Sequence, residues 1–149
     1  MSLEVELSLC LPTDELSVPV VRHICSFSLG EVGVDESCVN DITLALSEAC
    51  TNVLDHVDEG EAYEVFISID EERCVIRVKD AGDGFDADAE RPLSDGSAES
   101  GRGLEMIKAL VDELKFESKP EQGMIVRLEK ALEFDEDHPV RQRLHDVDA

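Results

Sequence analysis

The chain contains no tryptophan, one tyrosine and five phenylalanines, so aromatics are only 4% of its 149 residues. Its core must be aliphatic, drawn from the Val, Leu, Ile and Ala that dominate an ordinary 42% hydrophobic fraction. There is no GxxxxGK[ST] phosphate loop, and no succession of glycine loop, HRD and DFG, so any nucleotide site has to be built another way. GxSxG, a paired Cys/His nucleophile and metal-ligand spacing among the four histidines are also missing, which sets hydrolases and zinc sites aside. Nor is there an apolar run of about 18 residues, or a positively charged start leading into one, so neither a membrane span nor a signal peptide is expected.

Bases are scarce. The 13 Lys and Arg face 36 Asp and Glu, a net charge of -23, and residues 1 to 72 hold 17 of the acids against one base, Arg22. Such a surface repels nucleic-acid phosphates and anionic lipid; it suits a well-solvated protein and still admits a basic protein partner. The five cysteines (Cys10, Cys25, Cys38, Cys50, Cys74) form no CxxC pair, and all but one lie in apolar or helical contexts where a thiol acts as a small hydrophobe. A reducing, cytoplasmic setting is the expectation.

The length suits one domain. Residues 3 to 11 alternate apolar and polar, as a half-buried strand does. Ser17 as cap and Pro19 in the first turn open a helix whose core side is expected to be Val20, Val21, Ile24 and Phe27, closing at Gly30. After a turn around Gly33, Asp35 or Ser37 can cap a second helix with an apolar stripe Val39, Ile42, Leu46, Ala49, Val53 and Val57. Tyr63 to Asp70 and Arg73 to Lys79 read as a hairpin. Asp80 to Ser100 has neither period and reads as a long loop, taken as a lid. Leu104, Ile107, Lys108, Leu110, Val111 and Leu114 predict a third helix, and Lys115 to Glu117 with Met124 to Glu129 a last hairpin. Residues 131–149 are expected to be an acidic, flexible tail behind a single domain of residues 1–130. Helices and hairpins interleave without regular crossovers, so the expected fold class is an α/β (α+β) two-layer sandwich, with a mixed, largely antiparallel sheet and helices on one face.

Three segments carry the chemistry. Glu48, Asn52 and His56 lie four apart in the second helix and share one strip beside the apolar stripe. A mid-helix Asn has no propensity advantage; solvent satisfies it, and so does a hard cation such as magnesium, which takes its carbonyl oxygen. Asp80-Ala81-Gly82-Asp83-Gly84-Phe85 follows a strand, where a carboxylate can accept from an exocyclic amine while glycines let a flat base approach. The same residues also make ordinary turns. A calcium loop starting at Asp86 fails, since Arg91 stands where the sharp glycine belongs and Ser97 where the bidentate Glu belongs. Gly101-Arg102-Gly103 precedes a predicted helix start, whose free amides can dock phosphate; the glycines equally suit a lid hinge.

Together, ExxxN on a helix, DxGxGF after a strand and GxGL before a helix resemble the GHKL ATPases, and among them the small anti-sigma-factor serine kinases, from about residue 5 to residue 130. The resemblance implies a Bergerat-type ATP-binding fold and a lid between the last two segments. By it, Asn52 binds Mg2+ and through it the phosphates of ATP, Glu48 is the general base, and Asp80 reads the adenine amine. Gly82 and Gly84 shape the base pocket, while Gly101, Gly103 and Leu104, with Arg102 adding charge, hold phosphate. The implied function is a serine/threonine protein kinase that binds a sigma factor and phosphorylates an anti-sigma-factor antagonist. The alternative is a non-catalytic, ATP-dependent binding module of the same fold. A homodimer is allowed by either.

Overall fold

The computed structural model describes residues 3–56, 62–80, 105–119 and 123–148. Strand β1, Val5–Pro12, leads into helix α1, Ser17–Glu31, and helix α2, Glu36–His56. The hairpin of β2, Ala62–Ile69, and β3, Arg73–Asp80, follows; residues 105–110 form helix α3. A second hairpin of β4, Glu113–Lys119, and β5, Gly123–Ala131, precedes helix α4, Pro139–Asp148. The strands form one sheet in the order β1-β2-β3-β5-β4, and all four pairings are antiparallel, so the expected mixture of directions is absent among the described strands.

One side of the sheet makes the core. In β2, Tyr63, Val65, Ile67 and Ile69 are buried while the residues between them are half-buried. In register with them, Leu11, Leu9, Leu7 and Val5 of β1 line the same side. Helix α2 lays Val39, Ile42, Leu46, Ala49 and Val53 on this surface, as its periodicity predicts. Asp35 caps α2, its Oδ2 accepting the Ser37 N–H at 3.1 Å.

Helix α1 departs from expectation. Its buried residues are Ser17, Val21, Cys25 and Leu29, every fourth position, and Phe27 is 70% exposed. Small Ser17 and Cys25 sit inward where larger apolar side chains were expected. Ser17 is inside the helix, not its cap; its hydroxyl donates to the Asp14 carbonyl at 2.6 Å and meets the Tyr63 hydroxyl. Leu16 is the N-cap and has no side-chain capping bond; Asp14 closes a turn just before the helix, accepting the Leu16 N–H at 2.9 Å.

The third helix is also shorter than its apolar spacing predicts. Leu114 belongs to β4 opposite Leu128, because the alternation from Glu113 onward has the strand period, and Asp112 fixes the corner by accepting the Ala131 N–H at 2.6 Å. Residues 131–148 differ most from the expected tail. Val34 and Phe134 form a bridge, flanked by Asp35 N–H to Glu133 C=O and Asp135 N–H to Gly33 C=O, both 2.7 Å. From α4, Arg141 reaches back, 8% exposed, and pairs with Glu71 at 2.8 Å under the Phe134 ring. A Cβ on Gly33 would lie 2.6 Å from the Arg141 Cγ, and Gly33 has φ of +90°, so glycine is required there twice over.

Candidate functional site

The direction of α2 over the sheet decides where its polar strip arrives. Near its start, the Cys38 thiol approaches the Ala131 carbonyl at 3.8 Å, and Asp41 pairs with Lys130 at 3.8 Å. Ala131 is the register partner of Arg73, so α2 begins over the start of β3. About three helical turns on from Cys38, the buried Cys50 thiol lies against the Tyr63 hydroxyl, and Tyr63 is the register partner of Asp80. The last turns of α2 therefore lie at the Asp80 end of the β2–β3 ladder, the end from which the second glycine segment departs.

Two polar residues are buried there. Asn52 is 4% exposed, and its amide nitrogen has no hydrogen-bond partner among the described residues. Asp80, also 4% exposed, occupies the last position of β3. An unsatisfied buried amide costs about 1–3 kcal/mol, so a helix that presents one has a reason beyond folding to keep it. Asn52 lies deeper than a residue flanking the apolar stripe was expected to. Glu48, one turn earlier, is half-buried.

The walls of this end are inert. Burial pushes the Cys50 and Cys25 thiols up to about 12, and desolvation likewise raises Tyr63 to about 12. None of these groups ionises near neutrality, which removes thiolate chemistry from consideration. Asp14 C=O, Ser17 and Tyr63 form a hydrogen-bonded post that ties α1 to β2, with the Cys50 thiol of α2 against the Tyr63 hydroxyl.

Of the residues expected in the site, the structure places Glu48, Asn52 and Asp80 as described. Gly82, Gly84, Gly101, Arg102, Gly103 and Leu104 lie outside the described residues, as do the expected lid and the His56 side chain. The Tyr63 post was not anticipated; a lone tyrosine at the start of a strand carried no signal that it would reach under two helices.

A hydrophobic sheet face covered by helices, with a buried asparagine and aspartate converging at one end of the central strands, defines a ligand-binding α+β sandwich. The chain belongs to the histidine kinase-like ATPase domain family, whose sequence profile matches residues 11–130. It is 36% identical to a serine-protein kinase RsbW of Halalkalibacterium halodurans, over 87% of this chain and 85% of that one. It is 28% identical to the serine-protein kinase RsbW of Bacillus subtilis, over 82% of each. The fold is shared with the RsbU and RsbW domains of Rv1364c from Mycobacterium tuberculosis, with a TM-score of 0.61 at 21% identity over 86% of this chain. The present chain spans about a third, 32%, of that longer one.

Proposed function

We propose that the protein is a cytoplasmic, magnesium-dependent serine/threonine kinase that transfers the γ-phosphoryl group of ATP to an anti-sigma-factor antagonist and binds a sigma factor, so regulating transcription. The observation that carries the nucleotide site is the buried, unpartnered amide of Asn52 at the Asp80 end of the sheet. The orphaned Nδ2 is a donor that suits a phosphate oxygen, and the Oδ1 of the same carboxamide would supply an oxygen ligand to a hard divalent cation. Bound Mg2+ would neutralise charge on the β- and γ-phosphates. Asp80 would accept a hydrogen bond from the adenine amine. Gly82 and Gly84 would shape the base pocket, and Gly101, Arg102, Gly103 and Leu104 would hold phosphate.

Glu48 would accept the proton of the attacking serine hydroxyl as its oxygen bonds to the γ-phosphorus and ADP leaves. One helical turn from Asn52, it faces the same side and can reach a hydroxyl beside the metal. Positioning and charge neutralisation then supply most of the catalysis. The family profile and the kinase names of the relatives support this reading, and those names are the ground for the sigma-factor system as its setting.

Labelled ATP, magnesium and candidate antagonist proteins test it. Glu48→Gln is expected to keep ATP binding while phosphoryl transfer falls by on the order of 100-fold or more, the scale of general-base catalysis. ATP binding without transfer above that variant would instead identify a non-catalytic, ATP-dependent module.

A further inference from the structure

The side of the sheet away from the core carries a second pattern. Register aligns Ser8, Phe66, Arg77, Arg127 and Lys115 in one row across all five strands. Three cations in succession, each opposite the next, oppose sheet formation, and they are unexpected in a chain with a net charge of -23. Two are compensated locally. Lys115 pairs with Glu113 at 2.9 Å and Arg127 with Glu129 at 3.1 Å. Arg77 is not: it is exposed, has no ion pair among the described residues, and holds its guanidinium 5.0 Å from the Phe66 ring centroid. Beside it lies a hollow of about 320 Å³ between β1, β2 and β3, floored by Phe66 and Val75 and edged by Ser8, Ser68 and Glu6. Among the described residues no helix packs on this side.

We propose that this open face docks an acidic segment of a partner protein, placing an apolar side chain in the Phe66 hollow and a neighbouring carboxylate on Arg77. Charge complementarity selects the occupant. A planar guanidinium already stacked on an aromatic ring presents its edge donors to a carboxylate. The row on one side holds Glu6, Glu129 and Glu113, which disfavours an acidic segment there, while the row on the other side sets Lys79 beside Glu64, so an acidic segment is favoured along the central row and towards Lys79. The chain's net negative charge does not prevent this, because exposed charges beyond about 8 Å are screened at physiological salt. It does exclude polyanions such as nucleic acid, whose many phosphates would meet the acidic surroundings. The surface is separate from the nucleotide site and does not depend on kinase activity.

The test follows the isotope-labelled full chain by NMR while a synthetic peptide of alternating leucine and glutamate is added. Amide shifts are expected at Phe66, Arg77 and Arg127, with affinity weakened about tenfold or more by Arg77→Glu, the scale of one charge-assisted contact. Raising salt to about 0.5 M should weaken it similarly. Arg77→Gln, with unchanged unfolding midpoint, keeps the comparison valid should the charge reversal disturb the sheet. The proposal is overturned if these amides do not shift, if a peptide with lysine in place of glutamate shifts them equally, or if both variants bind as the unaltered chain does. It is overturned also if the same amides shift with protein concentration alone, which would assign the face to a second copy.

Discussion

The two sides of the sheet solve opposite problems. The covered side excludes water, so each polar group on it needs a partner, and the hydroxyls of Ser17 and Tyr63 find one another. Against that background the Asn52 amide lacks a partner among the described residues; the Nε of Arg141 lacks one too, but its guanidinium is already committed to Glu71. The open side tolerates any polar residue, so burial says nothing there. Its informative feature is register, which lines up Arg77, Arg127 and Lys115. A functional residue is thus marked by an unmet hydrogen bond on one side and by an unmet charge on the other.

The largest expected effect tests the covered side. Asn52→Leu keeps the branching and the number of side-chain heavy atoms and removes the orphaned amide. ATP affinity should fall by on the order of 100-fold, while stability stays level or rises by about 1 kcal/mol as the desolvated amide is lost. Calorimetry with ATP and magnesium and denaturant unfolding check the two halves. A variant that binds ATP normally but unfolds more easily would make the amide structural, and the contrast between the two sides would fail.

Much of this contrast was legible in the sequence. Period two in Tyr63 to Ile69 and period near 3.6 in Val39 to Val53 are imposed by which side meets the core, so those elements were readable from their residues. ExxxN was readable for the same reason, since a helix fixes which residues share a strip. Long-range facts were not. Phe27 has the apolar character of a core residue, yet α1 is turned so that small Ser17 and Cys25 sit inward, and only the packed neighbours decide that rotation. Residues 131–148 misled for a related reason. Their acidic composition suggests solvent, but the fold is set by one cation, Arg141, and one glycine, Gly33, more than a hundred residues apart.

That Arg141 strut supplies the next effect. Arg141→Met keeps the stem beside Gly33 but removes the pair with Glu71 and the stacking on Phe134. Because Glu71 is partly exposed, the loss should be about 1–2 kcal/mol and not the larger figure of a fully buried pair. Denaturant unfolding measures it. Unchanged ATP affinity is expected alongside, since the strut ties the β2–β3 turn to α4, far from the Asp80 end of the strands. A loss of nucleotide binding comparable to that of Asn52→Leu would show that the two ends of the sheet are coupled.

The smallest effect separates the two sides by pH and salt. Burial on the covered side raises Cys25 and Cys50 from an ordinary 9.0 to about 12, so the folded chain keeps these protons where the unfolded chain releases them. For a group whose folded value is raised, the contribution is complete below the unfolded value and disappears as pH climbs towards the folded one. Stability should accordingly be flat near neutrality and decline only as the pH rises above 9. Urea unfolding at intervals through that range measures the slope, and Cys25→Val should make it shallower by one group's share. On the open side, Lys115 holds the exposed Glu113 carboxyl below its usual value, and exposed pairs of that kind respond to salt far more than to alkali. A decline driven by sodium chloride at neutral pH, with none on raising the pH, would place the stabilising electrostatics on the open side and reverse the assignment.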